Sequence, residues 1–332
     1  MRMVTSQRFP SARAAVEAAG VDLRAELDQV EHGLRATLRD PENPFLSKAA
    51  THLIEAGGKR FRPLMVLLGA CFGTDRTSVV DAAQLAELVH VATLYHDDVM
   101  DEAPVRHGVV SANTRWNNTI AILLGDYLLA RAAALAATLG DEAVRLQART
   151  FARLVRGQID ETVGPGKGVD RIGHCLRVMA DKSSSLISMA VRLGATVSGA
   201  PGQVADALAL YGELLGISFQ ISDDVLDICA SEHLLGKQPG TDLREGIVTL
   251  PVLYAVEDNP TLAEIVLSGP LTDERTRSHA IALLRESPGL QRAQREACQH
   301  AERAKELLYD LPDIPAKTAL INLGDFAAGR AF

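Results

Sequence analysis

A chain of 332 residues, 47% hydrophobic but only 4% aromatic, can bury a sizeable core made mostly of aliphatic side chains and alanine. Its net charge of −8 argues against general nucleic-acid binding, which needs a basic face, and it weakens any polybasic attachment to a membrane. Cys71, Cys175, Cys229 and Cys298 are nowhere at C-x-x-C spacing, which argues against a structural zinc site and for a reducing, cytoplasmic setting.

The opening MRMVTSQRFPSARAA lacks the apolar stretch of a secretory signal, and residues 1–15 read as a flexible tail. Helical periodicity then dominates. In 21–38 it places Leu23, Leu27, Val30, Leu34 and Leu38 on one face. Pro41 and Pro44 punctuate a turn, a short helix runs to Gly57-Gly58, and Pro63 stands where another can begin. Long helices are predicted near 78–100, 118–139, 141–163, 170–199 and 202–230, and others near 247–257, 272–286, 288–308 and 315–331. Polar loops fall at 102–116, 163–168 and 232–246, with no convincing hairpin and no βαβ alternation. The apolar stretch TIAILLGDYLLARAAALAATLG is interrupted by Asp126 and Arg131, so the chain reads as soluble. The expectation is an all-α, single-domain bundle over 1–332.

Two triplets carry chemistry. Asp97, Asp98 and Asp101 stand in HDDVMD; Asp223, Asp224 and Asp227 stand in SDDVLD. Carboxylates at i, i+1 and i+4 share one helix face about one turn apart. One such triplet alone is as readily a solvated helix face. Both of these end strongly apolar helices, where three crowded carboxylates repel and are costly to desolvate without a cation. Hard oxygen ligands favour magnesium, with manganese able to substitute, and magnesium typically bridges carboxylates to substrate phosphates. The implied substrate carries a diphosphate.

A diphosphate also needs cations. GGKRFRP supplies Lys59, Arg60 and Arg62 at a helix start, with backbone donors beside them. A solvated basic turn is the bland alternative. His90 lies two turns before Asp97 on roughly the same face, where a lone histidine is more often a satisfied core group. Arg106 and His107 follow the first triplet. Lys182 sits in an apolar helix and needs an anion, and Lys237 follows the second triplet in a loop.

In order and spacing, GGKRFRP, HDDVMD, NTIAILLGDYLLA, DKSSSL, FQISDDVLD and GTDLREGIVTLP resemble the trans-isoprenyl diphosphate synthases, or polyprenyl synthetases, over roughly residues 45–255. The resemblance implies roughly 10–14 helices around a deep central cavity, the isoprenoid synthase fold. It implies that Asp97, Asp98, Asp101, Asp223, Asp224 and Asp227 hold roughly two or three magnesium ions on an allylic diphosphate. Lys59, Arg62 and His90 match positions that bind isopentenyl diphosphate, with His107 beside them. Arg106 matches a residue on the allylic diphosphate, and Lys182, Ser183, Gln220 and Lys237 match further substrate contacts. The sequence departs from the family where His107 replaces a second arginine, Ser183 a threonine, and Ile247 a lysine.

The implied reaction is head-to-tail 1'-4 condensation of isopentenyl diphosphate onto an allylic primer. The resemblance also implies a homodimer, with at most peripheral membrane contact as product leaves. Val89, Ala92 and Thr93, about one or two turns before the first aspartate, would floor the product tunnel. Ala92 and Thr93 are small, so a product of roughly C30 or longer is predicted. The alternatives are a short-chain farnesyl or geranylgeranyl synthase, a class I terpene cyclase, and a non-catalytic subunit of a heteromeric synthase. Cyclases usually carry one Asp-rich motif and such subunits usually lose one; both are intact here.

Overall fold

The computed structural model describes residues 12–229 and 239–329. Residues 12–17 form α1 (Ala12–Glu17), whose Val16 is buried. The Ala15 carbonyl accepts a hydrogen bond from Asn322 at 3.0 Å, so the expected tail gives way to a docked helix from Ala12 onward. Then follow α2 (Arg24–Thr37), α3 (Pro44–Ala50), α4 (His52–Glu55), α5 (Phe61–Ala70) and α6 (Val79–Met100). Asn43 caps α3 by accepting from the Leu46 N–H, with Pro44 in the first turn where no amide donor is missed.

After α6 comes a hairpin, β1 (Val105–Arg106) and β2 (Val109–Val110), with Val105 opposite Val110. No hairpin was expected, because two-residue strands are too short to show alternation. It is anchored by His52, whose Nε2 donates to the Val110 carbonyl at 2.7 Å while Nδ1 accepts from Arg115 at 3.2 Å. The chain continues through α7 (Ala112–Arg115), α8 (Asn118–Leu139), α9 (Asp141–Val163) and α10 (Arg171–Met179). A π turn (Ala180–Ser184) leads into α11 (Ser185–Val197), so the single helix expected over 170–199 is interrupted. The remainder is α12 (Gly202–Cys229), α13 (Thr241–Glu245), α14 (Leu250–Glu257), α15 (Pro260–Val266), α16 (Glu274–Glu286), α17 (Pro288–Glu306) and α18 (Pro315–Gly329). Helices outnumber the expectation because connections such as α4, α7 and α13 wind into single turns.

Two apolar cores form. The larger gathers α2, α5, α6, α8, α11 and the first half of α12; the smaller gathers the end of α12 with α14 to α17. Leu208 and Leu215 of α12 belong to the first, Ile221, Val225 and Ile228 to the second, so the second acidic triplet lies where one helix joins both. By length and composition alone, α8 and α12 could cross a membrane, and both pack against neighbouring helices here.

The crossing of α5 and α11 matters to the site, because α5 carries Arg62 and the π turn preceding α11 carries Lys182. It depends on glycine: a Cβ at Gly194 would lie 1.9 Å from the Val66 carbonyl oxygen, and one at Gly69 would lie 2.1 Å from that of Val191. Backbone atoms cannot yield as a flexible side chain can. Gly194→Ala is therefore expected to cost about 3 kcal/mol of unfolding free energy, checked by denaturant midpoints against wild type.

Candidate active site

Arg60 and Arg62 leave the same basic turn with different partners. Gly57 and Gly58 take positive φ, and Arg60 is left-handed at φ 49°. Its side chain turns inward, donating to Glu31, to Glu87 at 3.0 Å and to the Ile54 carbonyl at 2.8 Å. Arg60 is thus a buried brace for the turn rather than a free phosphate ligand. Arg62, the second residue of α5, faces a cavity, and its buried Nε has no hydrogen-bond partner among the described residues. Burial pulls its pKa down from the usual guanidinium range.

That cavity, about 520 Å³, is lined by Lys59, Arg62, His90 and His107 with Leu94 and Glu87 among others. Lys59 is exposed at its edge. Burial, and then the nearby Arg62 and His107, hold His90 well below the usual imidazole pKa, so it presents a neutral ring to the cavity. Glu87 is pushed upward by burial and drawn back by Arg60 and Arg62.

A second cavity, about 180 Å³, shares Arg62, His90 and Leu94 with the first. Asp97, Lys182 and Ser183 bring charge and polarity to it, while Phe151, Leu154 and Leu186 give it an apolar wall. The two cavities adjoin at the α5–α6 contact. Thr93 lines the smaller one, its hydroxyl donating to the His90 carbonyl at 2.8 Å. Val89 and Ala92 have no exposure and line neither, being packed into the larger core.

Asp97 is raised to about 6 by burial, with Lys182 opposing the shift. Asp98 has no exposure and accepts from Arg106 at 2.7 Å; Arg106 also lies 3.9 Å from Asp101. Lys182 is paired with Glu161. Both cations expected on a diphosphate therefore rest on carboxylates. Ser183 Oγ donates to Gln220 Oε1 at 2.8 Å, and Gln220 Nε2 donates to Asp224 Oδ1 at 3.0 Å, which ties the Lys182 segment to the second triplet. Asp224 and Asp227 are each 4% exposed, whereas Asp223 is exposed. Burial and then Asp242 push Asp224 well above the carboxylate range.

Asp242 is a site residue that sequence reasoning missed. Its amide donates to Asp227 Oδ2 at 3.3 Å, and its position inside GTDLREG was the available signal. Glu87, Glu161 and Phe151 were missed too, each recognisable only through contacts distant in sequence. Lys237 lies outside the described residues. Ile247 is on the surface.

These carboxylates fit a divalent cation. Among the described residues, Asp98 Oδ2 and Asp224 Oδ2 are buried oxygens without a hydrogen-bond partner, which an apolar surrounding makes costly and a cation relieves. Among the described residues, no three metal-ligating side chains form a ready cage.

Comparison with known proteins identifies the family. A family model for polyprenyl synthetase matches residues 43–283. The nonaprenyl diphosphate synthase of Mycobacterium tuberculosis is 46% identical over 330 residues, covering 95% of this chain and 98% of that one. The geranylgeranyl pyrophosphate synthase of Corynebacterium glutamicum, solved with calcium and isoprenyl diphosphate, superposes with a TM-score of 0.83 at 43% identity, covering 93% of this chain and 96% of that one. A decaprenyl diphosphate synthase from Rhodobacter capsulatus superposes with a TM-score of 0.87 at 32% identity, covering 97% and 99%.

Proposed function

Since this chain belongs to the polyprenyl synthetase family, we propose that it condenses isopentenyl diphosphate head-to-tail onto an allylic diphosphate, as a long-chain trans-prenyltransferase. The observation that carries this reading is the pair of adjoining cavities meeting at Arg62, His90 and Leu94. One is basic and suits isopentenyl diphosphate; the other joins Asp97 and Lys182 to an apolar wall and suits a prenyl tail with its diphosphate.

Asp97, Asp98, Asp101, Asp223, Asp224 and Asp227 would hold magnesium. The metal supplies charge neutralisation at the departing diphosphate. Arg106 and Lys182 exchange their carboxylate partners for the allylic diphosphate and stabilise the same charge as the C–O bond ionises. Leu154, Leu186 and Phe151 keep water from the allylic cation. Lys59, Arg62 and the neutral His90 hold isopentenyl diphosphate with its double bond toward that cation. The released diphosphate removes the proton.

A product of roughly C30 or longer is supported by the nonaprenyl and decaprenyl relatives and by small Thr93 at the cavity wall. Thr93→Phe is expected to shorten the product to about C20, read by chromatography of the dephosphorylated prenols, because the ring fills the cavity beside Asp97. A homodimer is supported by the exposed apolar residues Ile122 and Leu123 on α8 and Ile159 and Val163 on α9, and light scattering tests it. Free cysteines support a reducing cytoplasm, and the helical chain acts as one catalytic domain.

The test is incubation with labelled isopentenyl diphosphate, magnesium and geranyl, farnesyl or geranylgeranyl diphosphate in turn, with an EDTA blank. A ladder reaching roughly C30 and lost in EDTA is the expected result. A stop at a C15 or C20 product would keep the chemistry and overturn the chain length. No incorporation with any primer would overturn the reading in favour of a cyclase or a partner-dependent subunit.

A further inference from the structure

The π turn at Ala180–Ser184 is where the helix over 171–197 departs from regularity, and it carries two of the polar groups of the smaller cavity, Lys182 and Ser183. A π turn widens the helix and leaves carbonyls misaligned, so it persists only when surrounding groups hold it. Here side chains satisfy those carbonyls. Ser184 Oγ donates to the Met179 carbonyl at 3.2 Å, Ser185 Oγ to that of Asp181 at 2.6 Å, and Arg153 to that of Ala180 at 3.3 Å.

Behind the turn, Arg153 from α9 bridges two carboxylates. Its Nε donates to Asp181 Oδ1 at 2.9 Å, and its two terminal nitrogens donate to Glu213 of α12, one of them to Oε2 at 3.1 Å. Asp181 also accepts from Arg156 at 2.8 Å. The Asp181 side chain is only 14% exposed and that of Glu213 21%, so this bidentate pairing is better shielded than an ordinary surface ion pair. The two flanking helices also approach at the backbone. A Cβ at Gly157 would lie 2.8 Å from the Lys182 nitrogen, and one at Gly216 would lie 2.6 Å from the Ser184 Cα. Asp181 thus faces the brace while its neighbours Lys182 and Ser183 face the cavity, and Ser183 continues through Gln220 to Asp224.

We propose that Arg153, Asp181 and Glu213 are positioning residues that hold the π turn so that Lys182 and Ser183 meet the allylic diphosphate. The proposal rests on the synthase reading for the identity of that ligand. None of the three touches substrate; they act through Lys182 and through the Ser183–Gln220–Asp224 chain. The isopentenyl side, built on α5 and α6, stands apart from the brace.

Asp181→Asn and Glu213→Gln separate these roles. Both are expected to lower the affinity for farnesyl diphosphate with magnesium about tenfold by titration calorimetry, and to lower kcat by a similar factor. The KM for isopentenyl diphosphate should stay at the wild-type value, and Asp181→Glu should recover part of the loss. Should Asp181→Asn fail to fold, Glu213→Gln carries the same comparison. Farnesyl diphosphate affinity and kcat equal to wild type in a folded variant would overturn the proposal. So would a parallel shift for both substrates accompanied by a fall in Tm, which is the mark of a merely structural contact. If wild-type protein binds farnesyl diphosphate without extending it, the synthase reading falls, while the calorimetric comparison still decides the brace.

Discussion

Asp224→Asn should lower the condensation rate by about 10³-fold, on the order of 4 kcal/mol of lost transition-state stabilisation, while leaving the metal-free fold no less stable. The two halves have one cause. Asp224 is 4% exposed, one of its oxygens has no hydrogen-bond partner among the described residues, and Asp242, Asp223 and Asp227 repel its charge. A carboxylate whose folded pKa is raised contributes stability at low pH and loses it as pH rises through the folded value. At neutral pH in EDTA, its ionised form works against folding. The amide removes that charge and can still accept from Gln220. The variant should therefore match wild type in Tm near pH 4 and equal or exceed it at pH 7–8 in EDTA. A variant that loses activity and stability together at neutral pH would mean that the carboxylate is structural.

Arg62→Gln should raise the KM for isopentenyl diphosphate about 100-fold, with a smaller change in kcat and no fall in Tm. Truncating one partner of a buried charged contact typically costs about 2–5 kcal/mol of binding. Arg62 is the case in which that cost falls on substrate rather than on folding, because its buried Nε is bonded to no acceptor among the described residues. Arg60 is the contrast: it already satisfies Glu31, Glu87 and two carbonyls, so its removal should unfold the turn. Steady-state kinetics with each substrate varied in turn gives the answer. A rise confined to the allylic primer would assign Arg62 to the smaller cavity, since it lines both.

The chemistry was legible before the fold because it is local. Aspartates at i, i+1 and i+4 on an apolar helix state their own problem of charge, and the 3.6-residue period places α6, α8, α9 and α12 within a residue or two of where they lie. What only tertiary structure decided depends on partners far apart in the chain. Arg60 and Arg62 look alike in GGKRFRP; one is structural because Glu31 and Glu87 bond to it from other helices, while the buried Nε of the other has no hydrogen-bond partner among the described residues. Ala92 and Val89 have the right spacing for a tunnel floor, yet packing seals them in the core and leaves Thr93 at the cavity. The π turn leaves no mark in DKSSS, because Arg153, Glu213 and the backbones of α9 and α12 hold it from outside. Periodicity and residue chemistry determine which groups a helix offers; the direction in which each is spent is decided by burial against residues that sequence order does not bring near.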